Sequence, residues 1–259
     1  MEPALIVAFL WALFAATHIG LTARPIRAPL AARFGEAGFV LLFSLVAAAT
    51  FTGVVTYYAA HRFEGAPGPA LGQNAAFRWL LMALIVAGLV LATAGLLASY
   101  FRSPYVVLGD RRVGTPRGIE RITRHPFFAG VALVALPHAL LAASLTGTVF
   151  FAGFAAVAIV GAAHQDRKLL AQRGQPYADY LAATSAIPFA AILSGRQRLV
   201  LNELPWCALA ASGVIVVGLR WVHDGIFAYG GWIVVGVTVG GAAYISILSL
   251  RRTRAAAQP

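Results

Sequence analysis

The chain has 259 residues, 60% hydrophobic and only 11% charged, with a net charge of +11 and a mean hydropathy of +0.79. Those values exclude an ordinary soluble domain. A single cysteine, Cys207, excludes an intrachain disulfide and a thiolate metal site, and reads as a small apolar packing residue.

Apolar runs of roughly 18–24 residues recur, enough to cross a bilayer core of ~30 Å. In chain order they are Pro3–Thr22, Ala37–Tyr58, Ala75–Ser99, Pro126–Ala143, Leu145–His164, Pro205–Trp221 and Phe227–Leu250. None shows the short alternation of a barrel strand. In lipid the backbone must satisfy its own polar groups, so helices are the expected spans. The predicted fold is therefore an all-α polytopic membrane bundle of seven transmembrane helices. The first run carries an acidic Glu2 and no basic region ahead of it, and reads as a span rather than a cleaved leader.

Arginine and lysine alternate between the connections. Arg24, Arg27 and Arg33 follow span one. Arg102, Arg111, Arg112, Arg117, Arg121 and Arg124 precede span four. Arg167, Lys168, Arg173, Arg196 and Arg198 follow span five, and Arg251, Arg252 and Arg254 close the chain. The other connections hold only Arg62 and Arg78. The positive-inside rule then places the N-terminus outside and the C-terminus in the cytoplasm, as expected for a bacterial inner-membrane protein. The positive balance reports topology and anionic-lipid contact, not nucleic acid.

The polar content lies in the basic connections. Ser103–Thr123 reads as a long one, with turn-prone Gly109-Asp110 and Thr115-Pro116. Asp166–Ala183 reads as an amphipathic interfacial helix with Leu169, Leu170, Tyr177, Tyr180 and Leu181 on its apolar stripe, interrupted by Pro176 near Gly174. Ile187-Pro188-Phe189 turns the chain back. Residues 1–200, five spans plus the interfacial helix, form the expected working unit. Residues 201–259 add two spans and a basic tail.

Ionisable groups within apolar helices are costly without a partner or a task. His61 and His223 fall in outward loops and read as solvated. His18 lies near the inner end of span one, His125 opens span four, His138 follows Pro137 within it, and His164 ends span five beside Asp166. One reading is that these imidazoles hydrogen-bond across helices. The other is that they hold a metal cofactor in the bundle core. A haem between two histidines fits, and without a Cys-x-x-Cys-His motif it is non-covalent, b-type. Zinc fits less well, because carboxylates and thiolates are scarce here. Arg124 can pair with Glu120 or Asp166, clamp a haem propionate, or serve only as a positive-inside anchor.

Three stretches carry a resemblance. They are Gly118-Ile119-Glu120-Arg121-Ile122-Thr123-Arg124-His125-Pro126 with the helix to Pro137-His138, His164-Gln165-Asp166-Arg167-Lys168-Leu169, and Thr184-Ser185-Ala186-Ile187-Pro188-Phe189 running to Gly195-Arg196-Gln197. Together with His18-Ile19-Gly20-Leu21 and Arg24 they resemble the NnrU family, most strongly its 15-cis-zeta-carotene isomerase branch, over roughly residues 10–200. The resemblance implies haem b with axial ligands at His18 and His138; the residues themselves suggest Arg124, His125, His164 and Asp166 as further cofactor-binding groups. It also implies rotation of a 15-cis double bond in a carotene dissolved in lipid. Where that branch has a cysteine three residues before the span-four histidine, this chain has Ala135, so a thiolate switch is excluded. The family's name comes from nitrogen-oxide metabolism, which makes a non-catalytic haem protein supporting nitrite and nitric oxide reduction the first alternative.

At a rise of about 1.5 Å per residue, His18 and His138 differ in depth by on the order of 10 Å. A tilted span four closes that gap; otherwise His18 pairs with His125 or His164. A more distant similarity, to isoprenylcysteine and phospholipid membrane methyltransferases, rests on Arg124-His125-Pro126, Gly130, Asp166, Leu169, Gly174, Tyr177, Tyr180 and Pro188. Those enzymes carry two adjacent glutamates where this chain has Gln165-Asp166.

Overall fold

The computed structural model describes residues 2–99 and 113–256. Arg102, Arg111, Arg112, Gly109-Asp110 and the Ser103 end of the long connection lie outside the described residues. Among those described the chain is helical, with no strand. The ten helices are α1 (Pro3–Gly20), α2 (Arg24–His61), α3 (Ala75–Ala94), α4 (Ile119–Ile122), α5 (Pro126–Leu141), α6 (Leu145–Arg173), α7 (Gln175–Ala183), α8 (Ala190–Leu193), α9 (Trp206–Val222) and α10 (Trp232–Ala256). Each of the seven apolar runs holds one helix. Five helical stretches are long and apolar enough to cross a membrane: Pro3–Gly20, Arg24–His61, Ala75–Leu97, Leu145–Arg173 and Trp206–Gly225. Pro126–Leu141 and the apolar stretch Trp232–Tyr244 are shorter.

Two boundaries differ from the sequence expectation. Helix α2 begins at Arg24, not Ala37, and is broken inside at Gly35 (φ 71°, ψ 167°). Helix α6 runs unbroken to Arg173, so Asp166 belongs to its last turns rather than to a separate helix. The expected break does fall at Gly174, whose φ of 59° ends one helix and leads into α7, with Pro176 in the first turn. A left-handed residue costs glycine nothing, and proline suits a helix start because its missing N–H is not needed there.

The described chain forms two compact units: Met1–Ala70 with Ala139–Gly153 and Val222–Pro259, and Leu71–His138 with Phe154–Trp221. The first is held by rings. The Trp11 indole N–H donates to the Phe150 carbonyl at 3.0 Å. Tyr58 stacks on Phe150 at 3.7 Å, and Phe227 meets both edge-on. The loop after α2 is pinned by Ser144 and Thr146, whose hydroxyls donate to the carbonyls of Arg62 and Glu64, both at 2.8 Å.

The second unit is held by close backbone approach and by polar ties. Asn74 caps α3, its side-chain oxygen accepting from the N–H groups of Ala76 and Phe77. Helices α3 and α5 touch at glycines: a Cβ on Gly88 would meet the Gly130 carbonyl oxygen at 2.8 Å, and one on Gly130 would strike the backbone of Ala92. Small residues at the contact let the two helix backbones approach this closely.

Candidate functional site

In the second unit, three side chains converge on one carboxylate. Asp166 Oδ2 accepts from Arg124 Nε at 3.0 Å and Nη2 at 2.8 Å. Its Oδ1 accepts from His125 Nε2 at 2.9 Å and from the Tyr177 hydroxyl at 2.7 Å. A carboxylate only accepts, so His125 carries its proton on Nε2 here. The His125 side chain is 1% exposed, and Tyr177 is fully buried.

Local folding delivers these groups. Thr123, Arg124 and His125 lie in the extended link between α4 and α5, beside residues 185–189. Arg124 N–H donates to Ser185 O at 2.9 Å, Phe189 N–H to Ile122 O at 2.8 Å, and the Thr123 hydroxyl to Ala186 O at 2.8 Å. The His125 N–H returns to the Thr123 hydroxyl at 3.2 Å. Tyr177 comes from α7, past the Gly174 break, and packs with Leu169 and Tyr180. Leu170, expected on that apolar stripe, is exposed instead.

A second polar cluster closes the same unit. Arg121 forks onto Glu203, Nε to Oε2 at 2.8 Å and Nη2 to Oε1 at 3.0 Å, and its Nη1 donates to Gln197 Oε1 at 2.9 Å. The Gly118 N–H also donates to Glu203 Oε2, at 3.0 Å. The Arg121 hydrogen bond first, and the Gly118 N–H after it, hold the Glu203 carboxyl down at about 2. Arg196 Nη1 donates to the carbonyls of Ala182 and Thr184, and Gln197 Nε2 to Ala183 O, which satisfies the end of α7.

The remaining histidines sit apart from these networks. His18, in the first unit, is half-buried between Phe14 (ring centroids 5.0 Å) and Phe43 (4.9 Å). Its Nδ1 is buried with no hydrogen-bond partner. The same holds for His164 Nε2 in the second unit. His138 places Nδ1 2.7 Å from its own helix carbonyl, Val134 O. A carbonyl only accepts, so the proton sits on Nδ1 and the lone pair on Nε2, the tautomer that second-shell carbonyls impose on metal-bound histidines. Among the described residues no group of three or more His, Cys, Asp or Glu side chains forms a metal cluster. His61, which ends α2 and is half-buried rather than in a solvated loop, lies beside Glu64, and the exposed His223 beside Asp224.

Of the residues anticipated as cofactor-binding, the structure thus gathers Arg124, His125 and Asp166 in one network, and leaves His164 outside it. Tyr177 completes the network and was legible only as an apolar-stripe tyrosine. A buried tyrosine needs a partner for its hydroxyl, and that was the available signal. The Arg121–Glu203 fork had no sequence signal beyond opposite charge.

Residues 5–236 match the model of the NnrU protein family. This chain belongs to the NnrU family. The match covers the Arg124–Asp166 network and the Arg121–Glu203 cluster, and extends past residue 200 into the last helix. This NnrU chain is 28% identical over 237 residues to the 15-cis-zeta-carotene isomerase, chloroplastic, of Arabidopsis thaliana, covering 86% of the chain and 60% of that protein. It is 26% identical over 225 residues to the protein of the same name from Zea mays, covering 82% of the chain and 57% of the relative. The chain therefore spans less than two thirds of the length of these curated relatives. No solved structure matches it significantly.

Proposed function

We propose that this NnrU-family chain is a membrane cis–trans isomerase acting on a lipid-dissolved polyene of the carotene class, with haem b as its cofactor. The observation that carries the reading is the similarity to two proteins named 15-cis-zeta-carotene isomerase over more than four fifths of the chain. Those names favour isomerisation over a denitrification accessory role or methyl transfer. The topology that goes with it is seven spans with the N-terminus outside and the C-terminus in the cytoplasm of a bacterial inner membrane. The alternation of arginine-rich and arginine-poor connections supports it.

Two histidines, each taken within its own unit, have the chemistry of haem ligands. The buried, partnerless Nδ1 of His18 is an imidazole kept from solvent without a structural bond, and the Val134 bond of His138 presents the Nε2 lone pair. His18 and His138 would hold the iron. Haem, when bound, supplies an iron centre able to lower the double-bond order of a polyene without net redox change.

The chain's own residues supply the rest. Lipid-facing side chains such as Leu5 and Phe9 on α1 and Val214 on α9 are exposed and apolar, so a hydrocarbon substrate meets no polar barrier on the way from the bilayer. Asp166 fixes Arg124 and His125 and holds the start of α5, and with it the helix that carries His138. Phe14 and Phe43 flank the His18 ring and limit its rotation.

The test is purification in detergent with absorption spectra, oxidised and dithionite-reduced, followed by expression in cells that accumulate 15-cis-zeta-carotene. Sharp reduced α and β bands and conversion of the cis carotene are expected. Each is lost on His18→Ala or His138→Ala substitution. A chain that stays colourless when haem is supplied removes the cofactor. A haem-loaded chain that leaves the carotene unchanged removes the isomerase.

A further inference from the structure

Helix α2 is two helical pieces joined at Gly35, whose φ of 71° takes the backbone out of the helical region. Residues 36–61 alone rise about 39 Å, more than the ~30 Å core requires. The first piece, residues 24–34, is therefore not needed for crossing. It follows α1, which ends at Gly20, after a link of three residues, where the chain has just completed its first crossing. It carries Arg24, Arg27 and Arg33 and no acidic residue, and arginine in the hydrocarbon core is costly.

The faces of this piece differ. Arg27, Leu30 and Ala31 are half-buried. Arg27 is held by Glu36 at 2.6 Å and lies 5.1 Å over the Phe39 ring. Ile26, Leu30 and Phe34 recur every four residues and share one apolar stripe, with Ile26 44% and Phe34 53% exposed, and the exposed Arg24 and Arg33 fall to either side of it. Neither Arg24 nor Arg33 meets a carboxylate among the described residues. Arg33 lies 5.8 Å over the Phe34 ring, and cations without a carboxylate flanking an exposed apolar stripe, on a short helix leaving a span, match the charge and the layering of an anionic membrane surface.

We propose that residues 24–34 lie in the membrane plane and bind anionic phospholipid, with Arg24 and Arg33 on headgroup phosphates and Ile26 and Phe34 in the acyl boundary. A soluble phosphate would engage the arginines but give the two apolar side chains no partner. Gly35 supplies the corner between the in-plane piece and the span.

The test uses the delipidated full chain in detergent, titrated with phosphatidylglycerol or phosphatidylcholine and read by native mass spectrometry. Removing both charges, R24Q with R33Q, is expected to weaken phosphatidylglycerol binding by about fivefold per arginine and leave phosphatidylcholine binding unchanged. Arg78→Gln, which removes an exposed arginine from an arginine-poor connection, is expected to change neither. Equal binding by the double variant, an equal loss in Arg78→Gln, or displacement of the lipid by inorganic phosphate overturns the proposal. The native arginines are kept in a second measurement. Fluorescence added by Phe34→Trp in liposomes should be quenched by phosphatidylglycerol brominated near the glycerol backbone, and an unquenched signal overturns the in-plane placement. Neither readout depends on haem or on isomerisation.

Discussion

His125 and His18 are both imidazoles in an apolar helical protein, and their surroundings are opposite. In the second unit His125 is tied to a carboxylate that also holds Arg124 and Tyr177. In the first unit His18 lies between phenylalanine rings with its Nδ1 buried and unbonded. A buried polar group is normally satisfied, and the exceptions call for a reason. The contrast lies in the carboxylate: His125 is anchored through Nε2 to Asp166, while His18 has only rings beside it among the described residues, a distinction that their similar apolar contexts in sequence conceal.

The largest way to break the contrast is Asp166→Ala. It leaves Arg124, His125 and Tyr177 without their common acceptor, and breaking a largely buried ion pair costs about 3–5 kcal/mol. At 15% side-chain exposure for both Arg124 and Asp166, the lower end applies. A thermal melt in detergent should show a large drop, with partial recovery in Asp166→Asn, which still accepts from Tyr177. A wild-type melt for Asp166→Ala would make the network ornamental.

Next is Gly130→Ala, whose added methyl would strike the Ala92 backbone and the Gly88 carbonyl, atoms that cannot swing aside. Overpacking of this kind costs about 1–3 kcal/mol. Gly20→Ala, whose methyl meets nothing within 4 Å, should melt within error of wild type. Equal melts for the two variants would show that α3 and α5 do not rely on this contact.

A smaller effect comes from the Arg121–Glu203 fork. The Glu203 carboxyl sits at about 2 in the folded chain against an ordinary 4.5. A depressed folded value contributes stability above the unfolded pKa and loses it as pH falls through the folded one. Wild type should therefore lose melting temperature between about pH 4.5 and pH 2 more steeply than Glu203→Gln. Parallel curves would remove the fork from the stability of the unit.

What could be read in advance follows the range of each interaction. Helical spans depend on runs of apolar residues, and every predicted run is helical. The break at Gly174 depends on a glycine one residue before the Gln175-Pro176 helix start, and it is there. Arg124 had Glu120 and Asp166 as possible partners, and only the fold could choose Asp166. Gly35 was harder to see, because its neighbours are helix-compatible and only a backbone angle reveals the corner. Gly130 was visible as part of a motif, but its reason lies on another helix, at Gly88 and Ala92. Pairings across tens of residues leave no periodic trace along the chain.

The smallest expected effect on the fold is the one that sharpens the comparison most. His18→Phe replaces an imidazole with a ring of similar outline among Phe14 and Phe43. It breaks no side-chain hydrogen bond at Nδ1, because that atom makes none. It also removes an unsatisfied polar atom, which costs about 1–3 kcal/mol where one is left buried. The apo chain should thus melt at or above the wild-type temperature, while His125→Phe, which strips a donor from Asp166, melts well below it. If His18 serves a ligand, the same His18→Phe chain loses haem uptake, read as the Soret band after haem titration, with its fold intact. If His18 instead belongs to the scaffold, His18→Phe and His125→Phe fall together, and the contrast between the two units has no functional meaning.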